Sequence, residues 1–401
     1  MTGPLVGITV VDLTEGDGAP FSAMQLGDAG ADVIKVEPLD GDWSRPLGGP
    51  FDHGDGPLFM GMNRSKRSIA LDLDSEEGRA IVRDLAARAD VLLHNFPYAD
   101  DAARMGLHYE SLAAANPRLI YCDISTLDRT GPDADLPATD LTVQARSGLL
   151  RFVRRRGEAP VRYGSNWVGV SSAMYAGDAI LAAIWERRKS GLGQKIETSY
   201  LRAAIAAQNN TITSYNAPIE DGGGGGVGTP VDPPAQGIET LDGRIELGWQ
   251  YPKDPQAGTK LLEWLGIRDE VYEKHPAIAG RPISQQDNRA LAPFIAREFK
   301  KHSSVELIEK LLDLGLMFAP VHDYGTYFSD PGILEQDVVR TVEHPTRGTL
   351  RQVSPAWQLD GAPAEITLGP PTLGEHTDAI LGELGYDAAR IASLRGRGVV
   401  R

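Results

Sequence analysis

Residues 5–37 hold one complete architectural unit. Leu5-Val6-Gly7-Ile8-Thr9-Val10-Val11-Asp12-Leu13 is short, β-branched and almost continuously apolar, as a strand buried on both faces must be. The loop Thr14 to Pro20 follows it. Next comes a helical stretch with Phe21, Met24, Gln25 and Leu26, ended by Gly27 to Gly30, and then a second strand, Ala31 to Glu37. Strand, loop, helix, glycine turn and strand in so short a span read as a βαβ crossover, which commits the sheet to parallel pairing. The pattern recurs. Ser68–Leu73, Val91–Asn95 and Leu119–Ile124 read as strands, and Ser75 to Ala89 as a helix with Ile81, Val82 and Leu85 on one face. The expected fold class is α/β, with an open, doubly wound sheet.

Further along, a long helix is expected from Ser172 to Arg188, with Met174, Ile180, Leu181, Ile184 and Trp185 as its buried stripe and Ser190 to Gly193 as its stop. Gln194–Ser199 reads as a strand and a helix starts at Tyr200. The sharpest change of composition is Asp221 with Gly222 to Gly226, then Gly228-Thr229-Pro230 and Pro233-Pro234. Five successive glycines hold no single backbone conformation cheaply, so a hinge or mobile loop and a domain boundary are expected there. Beyond it, Gly237–Gly248 reads as a hairpin around Asp242-Gly243, and helices are expected at 256–265, 286–301 and 304–314. A turn-rich tail runs from His344 to Pro371, and a last helix follows Gly374-Glu375-His376-Thr377.

Composition narrows the function. Lys and Arg number 40 against 55 Asp and Glu, a formal net charge of −15, which disfavours nucleic acid as a partner but leaves room for a local basic pocket. Cys122 is the only cysteine, so no disulfide framework and no thiolate zinc site is expected. The eight histidines form no i+3 or i+4 ligand pair, and no metal is expected. No apolar run is long enough to suggest a membrane span, and the first residues lack a signal pattern, so a cytoplasmic location is expected. Gly16 and Gly18 fall short of a dinucleotide fingerprint, and neither a G-x-S-x-G elbow nor a Walker loop occurs.

Two stretches carry more chemistry. Asn63-Arg64-Ser65-Lys66-Arg67-Ser68 is a basic knot in an acidic chain, readable as an anion site or as a solvated loop. Glu15 and Asp17 follow the first strand, where ligands of open α/β sheets bind. They are placed for acid/base or nucleophilic work, or equally for compensating the charge of a helix N-terminus.

Taken together these residues resemble the class III CoA-transferases (CaiB/BaiF), which include formyl-CoA and carnitine CoA-transferases. The likeness runs through Pro4–Thr14, Leu26–Glu37, Asn63–Leu73, Ala89–Phe96, Asn116–Cys122, Asp140–Gly148, Ile180–Gln194 and Leu373–Asp378. The resemblance implies a Rossmann-like large domain from both chain ends, 1–221 and 326–401. It implies a smaller α+β domain with its glycine loop and linker at 222–325, and an interlocked dimer. It also implies coenzyme A and acyl-CoA as ligands and a carboxylic acid as partner substrate. The ADP half would lie against Asn63, Lys66, Arg67 and Arg104, and a mobile loop around Gly224 and Gly225 would cover the thioester.

The family mechanism uses one aspartate, whose carboxylate alternates between acyl anhydride and CoA thioester. Aligned on Tyr175 and Ile180–Ile184, that position is Gly169, and no carboxylate lies between Glu158 and Asp178. The glutamine usual in the first loop is Asp17 here. The histidine that the racemase branch carries before Asp140 is Thr139, so racemisation is disfavoured, although Asp140 itself remains. Three readings follow. The chain is the nucleophile-lacking subunit of a hetero-oligomer whose paralogous partner carries the aspartate, the reading favoured by the resemblance. Alternatively it is self-sufficient through a relocated carboxylate, Asp17, or it is a CoA-binding pseudoenzyme.

Overall fold

A computed structural model describes residues 3–49, 54–151, 159–214, 237–249, 252–360, 362–363 and 365–401. The chain divides into two compact units, one of residues 1–150, 162–216 and 336–401 and one of residues 151–161 and 217–335. The glycine run with Gly224 and Gly225 lies outside the described residues.

The first unit is built on a six-stranded sheet. Its elements in chain order are β1 (Thr9–Leu13), α1 (Pro20–Asp28), β2 (Asp32–Glu37), α2 (Pro57–Met62), β3 (Arg67–Ala70), α3 (Glu76–Ala86), β4 (Val91–His94), α4 (Asp101–Arg104), α5 (Tyr109–Ala115), β5 (Ile120–Ser125), α6 (Asp140–Arg146), α7 (Trp167–Ser190), β6 (Lys195–Ser199), α8 (Tyr200–Ala206) and α9 (Asn209–Ser214). The order is β3-β2-β1-β4-β5-β6 and every pair is parallel. Local chemistry sets the joints. Pro20 opens α1, where its missing N–H costs nothing. The Ser75 hydroxyl caps α3 by accepting the Gly78 N–H at 3.0 Å, and Glu76 and Glu77 fill the first turn.

One face of the sheet packs Ile81, Val82 and Leu85 of α3 together with Ile380, Leu381, Ile391 and Leu394 from the C-terminal helices. The other packs Ala23 and Leu26 of α1 with Val168, Ala176, Ile180 and Ala183 of α7 and Ala204 of α8. The C-terminal segment closes the β3 edge. Leu71 bridges to Val400, and the Arg401 N–H donates to the Ala70 carbonyl at 3.2 Å.

Three expectations need correction. The first strand begins at Thr9, because Gly7 turns the chain with φ at +87°. The long helix starts at Trp167, and its buried stripe is different: Met174, Leu181 and Trp185 are exposed, whereas Ala173, Ala176, Gly177, Ile180 and Ala183 are buried. A helix that is apolar all round offers no contrast by which to choose a face, and close approach to α1 and β5 selects the small residues. The turn-rich region is entered by an antiparallel hairpin, β10 (Val339–His344) and β11 (Gly348–Val353).

The second unit has a three-stranded antiparallel sheet, β7 (Ile238–Glu239), β8 (Arg244–Gly248) and β9 (Met317–Pro320), in that order. The Asp242-Gly243 hairpin is present as expected. Helices α10 (Ala257–Trp264), α11 (Arg268–Lys274), α12 (Asn288–Phe299) and α13 (Ser304–Asp313) surround a core of Ile245, Leu261, Leu262, Phe299, Leu307 and Leu311.

Candidate active site

Strand order reverses between β1 and β4. From β1 the chain builds β2 and β3 on one side, then resumes at β4 on the other. The crevice beyond the carboxyl ends of β1 and β4 is therefore where an open α/β sheet admits a ligand. Glu15 and Asp17 lie on the loop leaving β1, and Asn95 and Phe96 on the loop leaving β4.

Side chains sew these loops together. The Asn95 amide accepts the Glu15 N–H at 2.9 Å and donates to the Glu15 carbonyl at 2.7 Å. Asp42 accepts the Gly16 N–H at 3.0 Å, and Lys35 donates to the Thr14 carbonyl at 2.7 Å. Gly16 has φ at +93°, and a Cβ there would stand 2.0 Å from the Trp43 ring, so only glycine fits. From the segment after β5, Arg129 forks onto Asp123 at 2.7 and 2.8 Å and donates to the carbonyl of Phe96, on the loop leaving β4, at 2.7 Å.

The floor is made by α6, α7 and α8. Asp140, first residue of α6, accepts the Gly169 N–H at 2.8 Å on one oxygen and the Gln144 amide at 2.5 Å on the other. Gly169 lies in the first turn of α7 against Gly18. A Cβ on Gly18 would stand 2.5 Å from the Gly169 Cα, and one on Gly169 would stand 3.1 Å from both the Gly18 Cα and the Tyr200 hydroxyl. Tyr200, first residue of α8 and buried, accepts the Ala19 N–H at 3.3 Å. Its phenol interacts with Asp17, and burial together with Asp17 and Asp140 pushes its pKa up.

Here the carboxylates are uncomfortable. Burial first, and repulsion from Asp140 second, raise the pKa of Asp17, while Arg162 partly offsets them. Burial and then Asp42 push Glu15 up to about 7, against the pull of Lys35. Ionisable groups displaced in this way and gathered in a crevice mark a candidate functional site.

The sequence pattern that defines CoA-transferase family III matches residues 5–377. The chain belongs to that family. It is 30% identical to the human succinyl-CoA:glutarate CoA-transferase over 399 residues, covering 99% of this chain and 90% of that protein. It is 32% identical to the succinate–glutarate CoA-transferase of Agrobacterium fabrum, with 95% of this chain and 96% of that one covered. A CaiB/BaiF family protein from Brucella suis superposes with a TM-score of 0.83 at 28% identity, over 96% of this chain and all of that one.

Set in the CoA-transferase III fold, the residues singled out from sequence separate into two groups. Asp17, Asp140 and Gly169 converge on one spot. The basic knot does not stand open beside them. Lys66 is fully buried, and it donates to Asp12 at 2.7 Å, to the Pro20 carbonyl at 2.8 Å and to Asn63 at 2.8 Å, using all three protons. Asp12 and Pro20 flank the β1 loop, so Lys66 ties its two ends. Asn63 is buried in the same contact. Arg67 is held by Asp32 at 2.6 Å and Glu383 at 2.8 Å, and Arg64 by Asp28 at 2.7 Å. These four read as internal fasteners, because a phosphate would have to displace partners already in place. Arg104 differs: its side chain is 68% exposed and its neighbour is Asp101, one turn back on α4. Tyr200, Gly18, Asn95 and Arg129 escaped the sequence reading as site residues. Position was the available signal, since each lies in or beside a loop at the carboxyl end of a strand.

Proposed function

We propose that this chain transfers CoA between carboxylic acids in the crevice beyond β1 and β4, with Asp17 as the carboxylate that takes the acyl group. The supporting observation is the placing of Asp17 with Asp140 and Tyr200 around the Gly18–Gly169 contact, where the family resemblance locates the missing nucleophile. The Asp17 carboxylate attacks the thioester, giving an acyl-aspartyl anhydride and CoA thiolate. The thiolate then attacks the aspartyl carbonyl and releases the first acid, leaving an aspartyl-CoA thioester. The acceptor carboxylate displaces CoA to form a new anhydride, and the thiolate attacks its acyl carbonyl to release the new thioester and free Asp17. No proton is gained or lost overall. Tyr200 holds Asp17 against the floor, and Arg104 meets a CoA phosphate. Small dicarboxylic acids, for which the relatives are named, are the first substrates to try.

A second reading is supported by α7, whose exposed Met174, Leu181 and Trp185 form an apolar stripe that a partner subunit would cover. In that reading the partner of an interlocked dimer is a paralogue that supplies the aspartate. The deciding experiment incubates the purified chain with succinyl-CoA, glutarate and hydroxylamine. Mass spectrometry finding an Asp17 hydroxamate, absent in Asp17→Asn, supports the first reading. Turnover only after mixing with a paralogue, and indifferent to Asp17→Asn, replaces it with the second. CoA binding without turnover in either setting leaves a CoA-binding protein without catalysis.

A further inference from the structure

The crevice gathers carboxyls, which the acid substrates just proposed must approach. Glu15, Asp17, Asp42 and Asp140 act on one another there, and an acid substrate adds more. Two cations act on Glu15 and Asp17, namely Lys35 and Arg162. Lys35 is spent: it is fully buried, ion-paired with Asp42 at 2.9 Å and bonded to the Thr14 carbonyl. Arg162 is exposed and has no ion-pair partner among the described residues.

Its root is nevertheless fixed to the floor of the site. The N–H of the next residue, Tyr163, donates to the Gln144 side chain at 3.1 Å, and Gln144 donates to Asp140 at 2.5 Å. The Tyr163 ring stacks on Trp167 with centroids 5.7 Å apart, at the opening of the helix that carries Gly169. A guanidinium presents a planar fork matched to a carboxylate, and the charge of this one favours the ionised form of Asp17.

We propose that Arg162 receives the carboxylate of a dicarboxylic acyl group that does not react, and so selects dicarboxylic over monocarboxylic acyl-CoA. This rests on the CoA-transfer reading above. The reacting carbonyl sits at Asp17 while the far carboxylate is neutralised beside it, which removes the repulsion that the surrounding acids would otherwise impose.

Calorimetry with the full chain tests this, using CoA, butyryl-CoA and succinyl-CoA. The last two have the same carbon chain and differ in the terminal carboxylate. Succinyl-CoA is expected to bind about tenfold or more tighter than butyryl-CoA, as one charge-assisted contact allows. Arg162→Gln abolishes that preference and Arg162→Lys restores part of it, with CoA affinity showing that the rest of the site stands. CoA binding with no preference in the parent, or a preference that survives Arg162→Gln, overturns the role of Arg162 and leaves the transfer reading intact. Failure of the parent to bind CoA at all overturns both.

Discussion

Residues 63–68 and residues 14–19 are both rich in charge, yet the structure treats them in opposite ways. In the first, each cation is matched: Lys66 by Asp12, Arg67 by Asp32 and Glu383, Arg64 by Asp28. In the second, the backbone is the part that is matched, by Asn95, Asp42 and Tyr200, while the carboxyls of Glu15 and Asp17 are left raised above their ordinary pKa values. A charge matched by an opposite charge holds the fold, whereas Glu15 and Asp17, hydrogen-bonded to the Trp43 backbone and the Tyr200 phenol but without an ion pair among the described residues, stand beside other carboxyls. Burial alone does not separate the two cases, but the sign of the neighbouring charge does.

The largest test is Lys66→Met. It keeps an apolar stem but leaves Asp12 buried without its cation, a loss of about 3–5 kcal/mol in denaturant unfolding. A variant that stays stable but loses CoA affinity would move Lys66 to the ligand side. Next is Gly18→Ala. Its methyl would meet the Gly169 backbone, so the β1 loop must shift, at about 1–3 kcal/mol, with weaker acyl-CoA binding. Wild-type stability and binding together would show that the contact is not tight. Tyr200→Phe removes the acceptor of the buried Ala19 N–H and is expected to cost about 1–2 kcal/mol. If it costs nothing, the phenol does not hold the loop.

Glu15→Gln is the smallest effect, and it stabilises where the others destabilise. Folding raises this carboxyl from 4.5 to about 7, so between those values the folded chain keeps a proton that the unfolded chain has released. Stability therefore falls as pH rises through that window, and the penalty is complete above it. Glu15→Gln should stabilise the protein on the order of 1 kcal/mol at pH 8, with the gain fading by pH 4. A gain independent of pH would show that charge is not its cause.

The sheet was legible because its signals are local. Most of its strands are short runs rich in β-branched and apolar residues, and the crossover leaves little choice of pairing. The family followed from motifs in order along the chain. The face of α7 was not legible, since Met174 and Trp185 look as apolar as Ile180, and only the closeness of α1 and β5 tells them apart. Nor could the fate of Lys66 be read: its partners Asp12 and Pro20 lie far back in sequence, and a basic run looks the same whether its charges point to water or to carboxylates. Asp17 stood out as a carboxylate in the loop after the first strand and Asp140 through a family motif, but Tyr200 did not, because nothing local distinguishes a phenol that packs from one that reaches a reacting group.

The seam between β3 and the far end of the chain bears on how the protein is made. β3 is an edge strand whose outward backbone groups are met from the far end of the chain: the Ser68 N–H and carbonyl by His376, the Ala70 N–H by Thr377 and the Ala70 carbonyl by the Arg401 N–H, with Leu71 and Asp72 just beyond it meeting Val400 and Val399. During synthesis the N-terminal strands emerge long before those residues do, so the nascent sheet spends most of translation with that edge uncovered and open to pairing with a neighbouring chain. Trimming residues 399–401 would leave the Ala70 carbonyl and the Leu71–Asp72 end of that edge permanently uncovered, and aggregation during expression, rather than loss of activity, would be its first symptom.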